Sequence, residues 1–144
     1  MGWCAIVSLL LWRGPWSEIH AWADSPAHGL GLVLLLDQFS RQVWRDEAKA
    51  FAGDQQAQAL SKEPLQLGWV QSEPERAKRQ FWLMPLLHSE ENKVVAQAIP
   101  LLEHWVDSST AAYLIQLQCF GRYPHRNAAL GRVSSSDEVL FLQH

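Results

Sequence analysis

The sequence predicts an all-α fold of about six to seven helices, arranged as antiparallel helical hairpins in a tetratricopeptide-like bundle. Three observations predict it. No stretch alternates apolar and polar residues long enough to read as a strand. Apolar residues recur instead at spacings of three and four, and Ser, Pro and Gly fall where helices start and stop. With 144 residues, 48% hydrophobic and 19% charged, the chain can bury a core of its own. Residues 17–144 are the expected single helical domain, and residues 1–16 stand apart from it.

The elements follow in order. A short helix spans about Ser17 to Trp22 and ends before Ser25-Pro26, where Ser25 can cap and Pro26 can take the first position of the next helix. That second helix carries Leu30, Leu32 to Leu36 and Phe39 on nearly every face, which predicts the central buried element. A third is expected from about Glu47 to Leu60, before Pro64 and Gly68 break the pattern. Ser72 and Pro74 should open a fourth, with Phe81, Trp82 and Leu83 near its end and Pro85 kinking or stopping it. Ser89 is the expected cap of a fifth, whose Val94, Val95, Ala98, Leu101, Leu102 and Trp105 share one face around an internal Pro100. Ser109 should start a sixth through Tyr113, Leu114, Leu117 and Phe120, ended by Gly121 in the left-handed conformation. Ser135 and Glu138 form a capping box for a last helix ending near Leu142.

The apolar run from Trp3 to Trp12 is too short to span a bilayer and lacks the basic flank of a signal peptide. Met1-Gly2 does not make a myristoylation site, because Ile6 stands where Ser or Thr is needed. No membrane association is therefore expected. Cys4 and Cys119 form no CxxC, so neither a disulfide framework nor a zinc site is indicated, and a reducing, cytoplasmic setting is the expectation. Cys119 is expected to pack as a small apolar residue. Eight tryptophans spread along the chain suggest helix packing rather than one stacking platform. The net charge of -3 argues against a nucleic-acid binder.

Against that acidic balance, one stretch is locally basic. Gly121 to Arg132 holds Arg122, Arg126 and Arg132 with His125 and Asn127, and no acidic residue. Guanidinium groups stay charged and present five donors in a rigid fork, so they need acceptors from the fold or from an anionic ligand. Upstream, Asp37 and Arg41 are four apart and share a helix face, while His88 and Glu90 fall at a break between helices.

Several of these residues lie in blocks that resemble a known family. Leu34-Leu35-Leu36-Asp37-Gln38-Phe39-Ser40-Arg41, Ala50-Phe51-Ala52 with Asp54, Pro85-Leu86-Leu87-His88-Ser89-Glu90, and Phe120-Gly121-Arg122-Tyr123-Pro124-His125-Arg126-Asn127 with Leu130-Gly131-Arg132 occur in the order and spacing of the mainly bacterial domain-of-unknown-function 924 family. The resemblance covers roughly Ser17 to Leu142. It implies an all-helical, tetratricopeptide-like fold and no established activity. The chain departs from the family at Ser40 and Gln42, where Pro and Asn are usual, and near Tyr113 and Ile115, where His and Asp are usual. The family's amino-terminal helix has no counterpart, so Met1 to Trp16 looks like a replacement or a truncation. An uncovered face of the central helix would favour self-association.

Three functions fit these residues. The leading expectation is a small anionic ligand held by Asp37, Arg41, Arg122, Arg126 and Asn127. An enzyme would use His88 or His125, with Glu90, as general acid or base, whereas an interaction module would grip a peptide or acidic tail on a concave helical face. Against all three stands a purely structural ion-pair network, with Asp37 and Glu90 neutralising Arg41, Arg122 or Arg126. Arg132 is expected in a surface or capping role. No cofactor is expected, nor a metal, since His88, Glu90 and His125 lack convergent ligand spacing.

Overall fold

The chain runs through a short helix α1 (Trp16–His20) into a long helical run made of α2 (Pro26–Val33), a π-helical segment (Leu34–Phe39) and α3 (Ser40–Val43). A 3-10 turn (Ala48–Phe51) leads to α4 (Asp54–Gln66) and α5 (Trp69–Ser72). Then come α6 (Arg76–Leu87), α7 (Asn92–Val106), α8 (Ala111–Phe120), a second 3-10 turn (Pro124–Arg126) and α9 (Ser136–Leu142). This computed structural model describes residues 16–106 and 110–144, and among them there is no strand. The fold is all-α, as expected. No helix among the described residues is long and apolar enough to cross a membrane. The apolar run Trp3 to Trp12 and the expected cap Ser109 lie outside the described residues.

Local chemistry accounts for most boundaries. Ser25 has extended backbone angles and accepts a hydrogen bond from the His28 N–H, with Pro26 opening α2. Ser135 and Glu138 close a reciprocal capping box at α9. Gly121 ends α8 at φ 67° and Gly68 separates α4 from α5 at φ 75°, conformations that a side chain disfavours. Thr110 precedes α8 without a side-chain cap.

Three expectations are corrected. The segment from Glu47 is not one helix: a 3-10 turn stops at Phe51, and α4 begins only after Gly53, where an added Cβ would lie 3.0 Å from the Leu36 backbone oxygen. Pro64 and Pro85 lie inside α4 and α6 rather than ending them. Both sit in the last turn with buried rings, so apolar burial of roughly 1.5 to 3 kcal/mol offsets much of the lost helix bond. Finally, Ser72 belongs to α5, and α6 starts from Glu75.

The core gathers one face of every long helix. Val33 from α2, Leu60 from α4, Trp82, Leu83 and Leu87 from α6, Val95 and Leu102 from α7, and Leu117 from α8 are all essentially inaccessible. Helices α6 and α7 pack against each other along their length, and α6 also packs on α2 and α4. Core tryptophan is less general than expected: Trp82 is buried, while Trp22 is 54% exposed. Cys119 is exposed on α8 rather than packed.

The long helical run does not continue as a plain α-helix. Across Leu34–Phe39 it widens, and the Ser40 N–H bonds back to the Leu35 carbonyl, five residues earlier. Asp37 and Ser40 face inward at 1% and 2% exposure. The Ser40 hydroxyl donates to the Leu36 carbonyl at 2.6 Å, with the Ala50 carbonyl also in reach at 3.0 Å. The widened turn thereby presents a carboxylate to the end of α6.

Candidate functional site

His88 caps the C-terminal end of α6, where its imidazole meets Asp37 from the π segment. Nδ1–H donates to Asp37 Oδ1 at 2.5 Å, and Gln38 donates to Oδ2 at 2.6 Å. Arg41, one turn on, donates from Nη1 to the Asp37 carbonyl at 2.8 Å and stands 3.2 Å from its carboxylate. Burial pushes the Asp37 carboxyl up, but the hydrogen bond and charge of His88, with Arg41 and Gln38 behind them, outweigh it and hold it below the usual value. With Nδ1 committed to Asp37, Nε2 of His88 has no hydrogen-bond partner among the described residues, and 12% of the side chain stays exposed.

A second carboxylate, Asp54 at the start of α4, completes the centre. It takes both Arg41 amino groups in a bidentate pair of 2.8 and 2.9 Å, leaving Arg126 at 3.5 Å. Arg126 donates instead to the His88 carbonyl at 2.9 Å. The Phe51 ring lies under both guanidinium groups, 5.2 Å from Arg41 and 4.8 Å from Arg126, and Tyr123 is also 4.8 Å from Arg126. Arg126 is 5% exposed and its Nε has no acceptor among the described residues. Burial, with the nearby charge of Arg41, lowers its pKa despite Asp54.

The remaining arginines are held elsewhere. Arg132 grips Glu90 with bonds of 2.8 and 3.0 Å, so the expected surface or capping role is wrong: it ties the loop after the second 3-10 turn to the end of α6. Glu90 also accepts the Tyr123 N–H at 2.8 Å. Its burial is outweighed by Arg132 and that N–H, and its pKa falls. Arg122 pairs with Glu138 of α9 at 2.7 and 2.8 Å. Asn127 donates to Ser134 at 3.0 Å, away from Asp37. The Tyr123 hydroxyl donates to the Leu87 carbonyl. His125 stacks on Tyr123 with centroids 5.8 Å apart; it keeps an exposed edge, yet burial of the rest and the charge of Arg126 lower its pKa.

Of the sequence candidates, then, Asp37, Arg41, His88 and Arg126 meet in one volume with His125 beside them. Glu90, Arg122 and Asn127 belong to neighbouring contacts. Asp54, Phe51 and Glu138 were missed as partners, although Asp54 and Phe51 stand in one of the matched blocks. Among the described residues no three His, Cys, Asp or Glu side chains are grouped as a metal ion would require.

Fold and site together define an all-helical protein whose helix ends close on a buried Asp/His/Arg centre. The chain belongs to the family described as bacterial protein of unknown function (DUF924), whose model matches residues 13–144. The solved structure of the protein of unknown function ATU0120 from Agrobacterium tumefaciens is similar to it, with a TM-score of 0.82 and 27% sequence identity over 97% of this chain and 78% of that one. No curated protein matches the chain.

Proposed function

We propose that the chain binds a small anion, a carboxylate or phosphate group, where Arg126, His88 and His125 converge. The observation that carries this reading is the imbalance around Asp54. Arg41 takes both of its oxygens, and Arg126, buried against Phe51, is left with an Nε–H that has no acceptor among the described residues. An unmatched donor of that kind is costly in a dry setting, and an anion supplies the missing acceptor. The test is a thermal-shift screen of phosphate, pyrophosphate and di- and tricarboxylates at constant ionic strength. A ligand of the folded state at about 100 times its Kd stabilises by about 2.7 kcal/mol. The shift should vanish in Arg126→Lys and shrink in His88→Asn. If no anion moves the wild type and both variants simply melt earlier, the cluster is scaffold.

A second reading rests on the Asp37–His88 bond. A carboxylate that fixes Nδ1 leaves Nε2 oriented as a proton acceptor, the arrangement that general bases use. Under that reading the bound anion is a substrate, and His88→Asn abolishes turnover while leaving anion binding by Arg126 measurable.

A further inference from the structure

Around the Arg126 centre, every oxygen of the nearby carboxylates already receives an N–H from the chain. Asp37 takes His88 and Gln38, Asp54 takes Arg41 twice, and Glu90 takes Arg132 and the Tyr123 backbone. The carbonyls at the end of α6 are taken too, Leu87 by the Tyr123 hydroxyl and His88 by Arg126. Two groups at Arg126 and His88 are left over among the described residues: the buried Arg126 Nε–H and the ring nitrogen His88 Nε2. The charges of both residues reach the His125 ring, so the three side chains border one volume.

The role of Nε2 follows from Asp37. Held below the ordinary carboxylate value, Asp37 is ionised and has no proton to give, so the hydrogen in the 2.5 Å contact sits on His88 Nδ1. A neutral imidazole that carries its proton on Nδ1 has a bare lone pair at Nε2, and that atom accepts. With the ring neutral, the charges of Arg41 and Arg126 are matched by those of Asp37 and Asp54. The centre therefore offers a ligand one unmatched donor and one unmatched acceptor.

On the footing that this centre binds an anion, as proposed above, we infer that the anion carries its own hydroxyl, giving an oxygen to Arg126 Nε–H and an O–H to His88 Nε2. Hydrogen phosphate and 2-hydroxycarboxylates share that chemistry. A fully deprotonated oxyanion of the same shape satisfies the arginine but turns oxygen lone pairs toward the lone pair of Nε2, on a side chain only 12% exposed. An acceptor left unmatched in so dry a place is costly, and a site built to receive a hydroxyl rejects the analogue that lacks it.

Calorimetric titrations of the full chain near pH 8, where an imidazole is ordinarily neutral, compare two matched pairs at constant ionic strength. Phosphate and sulfate are both dianions there, and malate and succinate differ by a single hydroxyl. Phosphate or malate should bind at least about tenfold more tightly than its partner, and the pair that discriminates identifies the source of the hydroxyl. Arg126→Lys should abolish binding of all of them. In nitrogen NMR spectra of isotope-labelled histidines, assigned with His88→Asn, Nε2 of His88 should be the unprotonated nitrogen and should shift when the favoured anion is added. Equal affinities within both pairs, or a proton on Nε2, overturn this inference and leave anion binding standing. Binding of none of the four anions overturns both. The affinity comparisons use the wild-type chain and need no variant to fold.

Discussion

Arg41 and Asp54, thirteen residues apart in sequence, meet in a two-point ion pair of 2.8 and 2.9 Å that joins the end of the long helical run to the start of α4. The pair is mostly buried, with side chains 21% and 11% exposed, and it sets the position of Arg126 by denying it a full partner.

Removing one member therefore leaves a charge in a poorly solvated place. Asp54→Ala should destabilise by about 3 to 5 kcal/mol, the usual cost of breaking a buried pair from one side. Asp54→Asn, which keeps shape and can still accept, should cost less. Urea unfolding of the two variants checks the order.

Acid should weaken the fold through Asp37. Its folded pKa lies below the ordinary 3.8, so the unfolded chain takes up the proton first as pH falls. The stability held above that ordinary value is lost as pH drops through the lower folded one. Unfolding free energies measured from pH 6 downward should show this decline, and Asp37→Asn should flatten it.

Glu138 gives a second acid-sensitive joint. Arg122 first, then the Ser135 N–H, pull its carboxyl from 4.5 to about 2. The attachment of α9 should hold above pH 4.5 and loosen as pH approaches 2. Hydrogen exchange confined to residues 136–142 should report it, and Arg122→Ala should produce the same local loosening at neutral pH.

Two glycines in one helix should respond in opposite senses to the same change. Gly29→Ala drives a methyl into the Trp82 ring and should cost about 1 to 3 kcal/mol by overpacking. Gly31→Ala meets no atom among the described residues and should stabilise by roughly 0.5 to 1 kcal/mol through helix propensity. Thermal melts of the two single variants decide it.

The helices were legible because their signals are local. Ser25-Pro26, Gly121 and the Ser135/Glu138 box are each read within a few residues, and each cap forms as expected. Pro64 and Pro85 misled because their cost is local while the burial that offsets it comes from helices distant in sequence. The meeting of Asp37 with His88 was foreshadowed by the shared motif blocks, but partner choice was not. Glu90 could have taken any of three nearby arginines; Arg132 takes it because the loop after the second 3-10 turn folds back over the end of α6. Asp54 was overlooked because its partner Arg41 lies beyond the 3-10 turn, at no helical spacing.

The widened turn at Leu34–Phe39 takes in one residue more than ordinary α geometry would hold there. Excising one amino acid lets the backbone relax to α geometry and leaves Arg41 and everything beyond it nearly in phase. Adding one has no such outlet: each residue of an α-helix advances the side-chain direction by about 100°, so an insertion would swing Arg41 around the axis and part that guanidinium from Asp54. A scan of both kinds should accordingly find single excisions at these six positions better tolerated than single insertions.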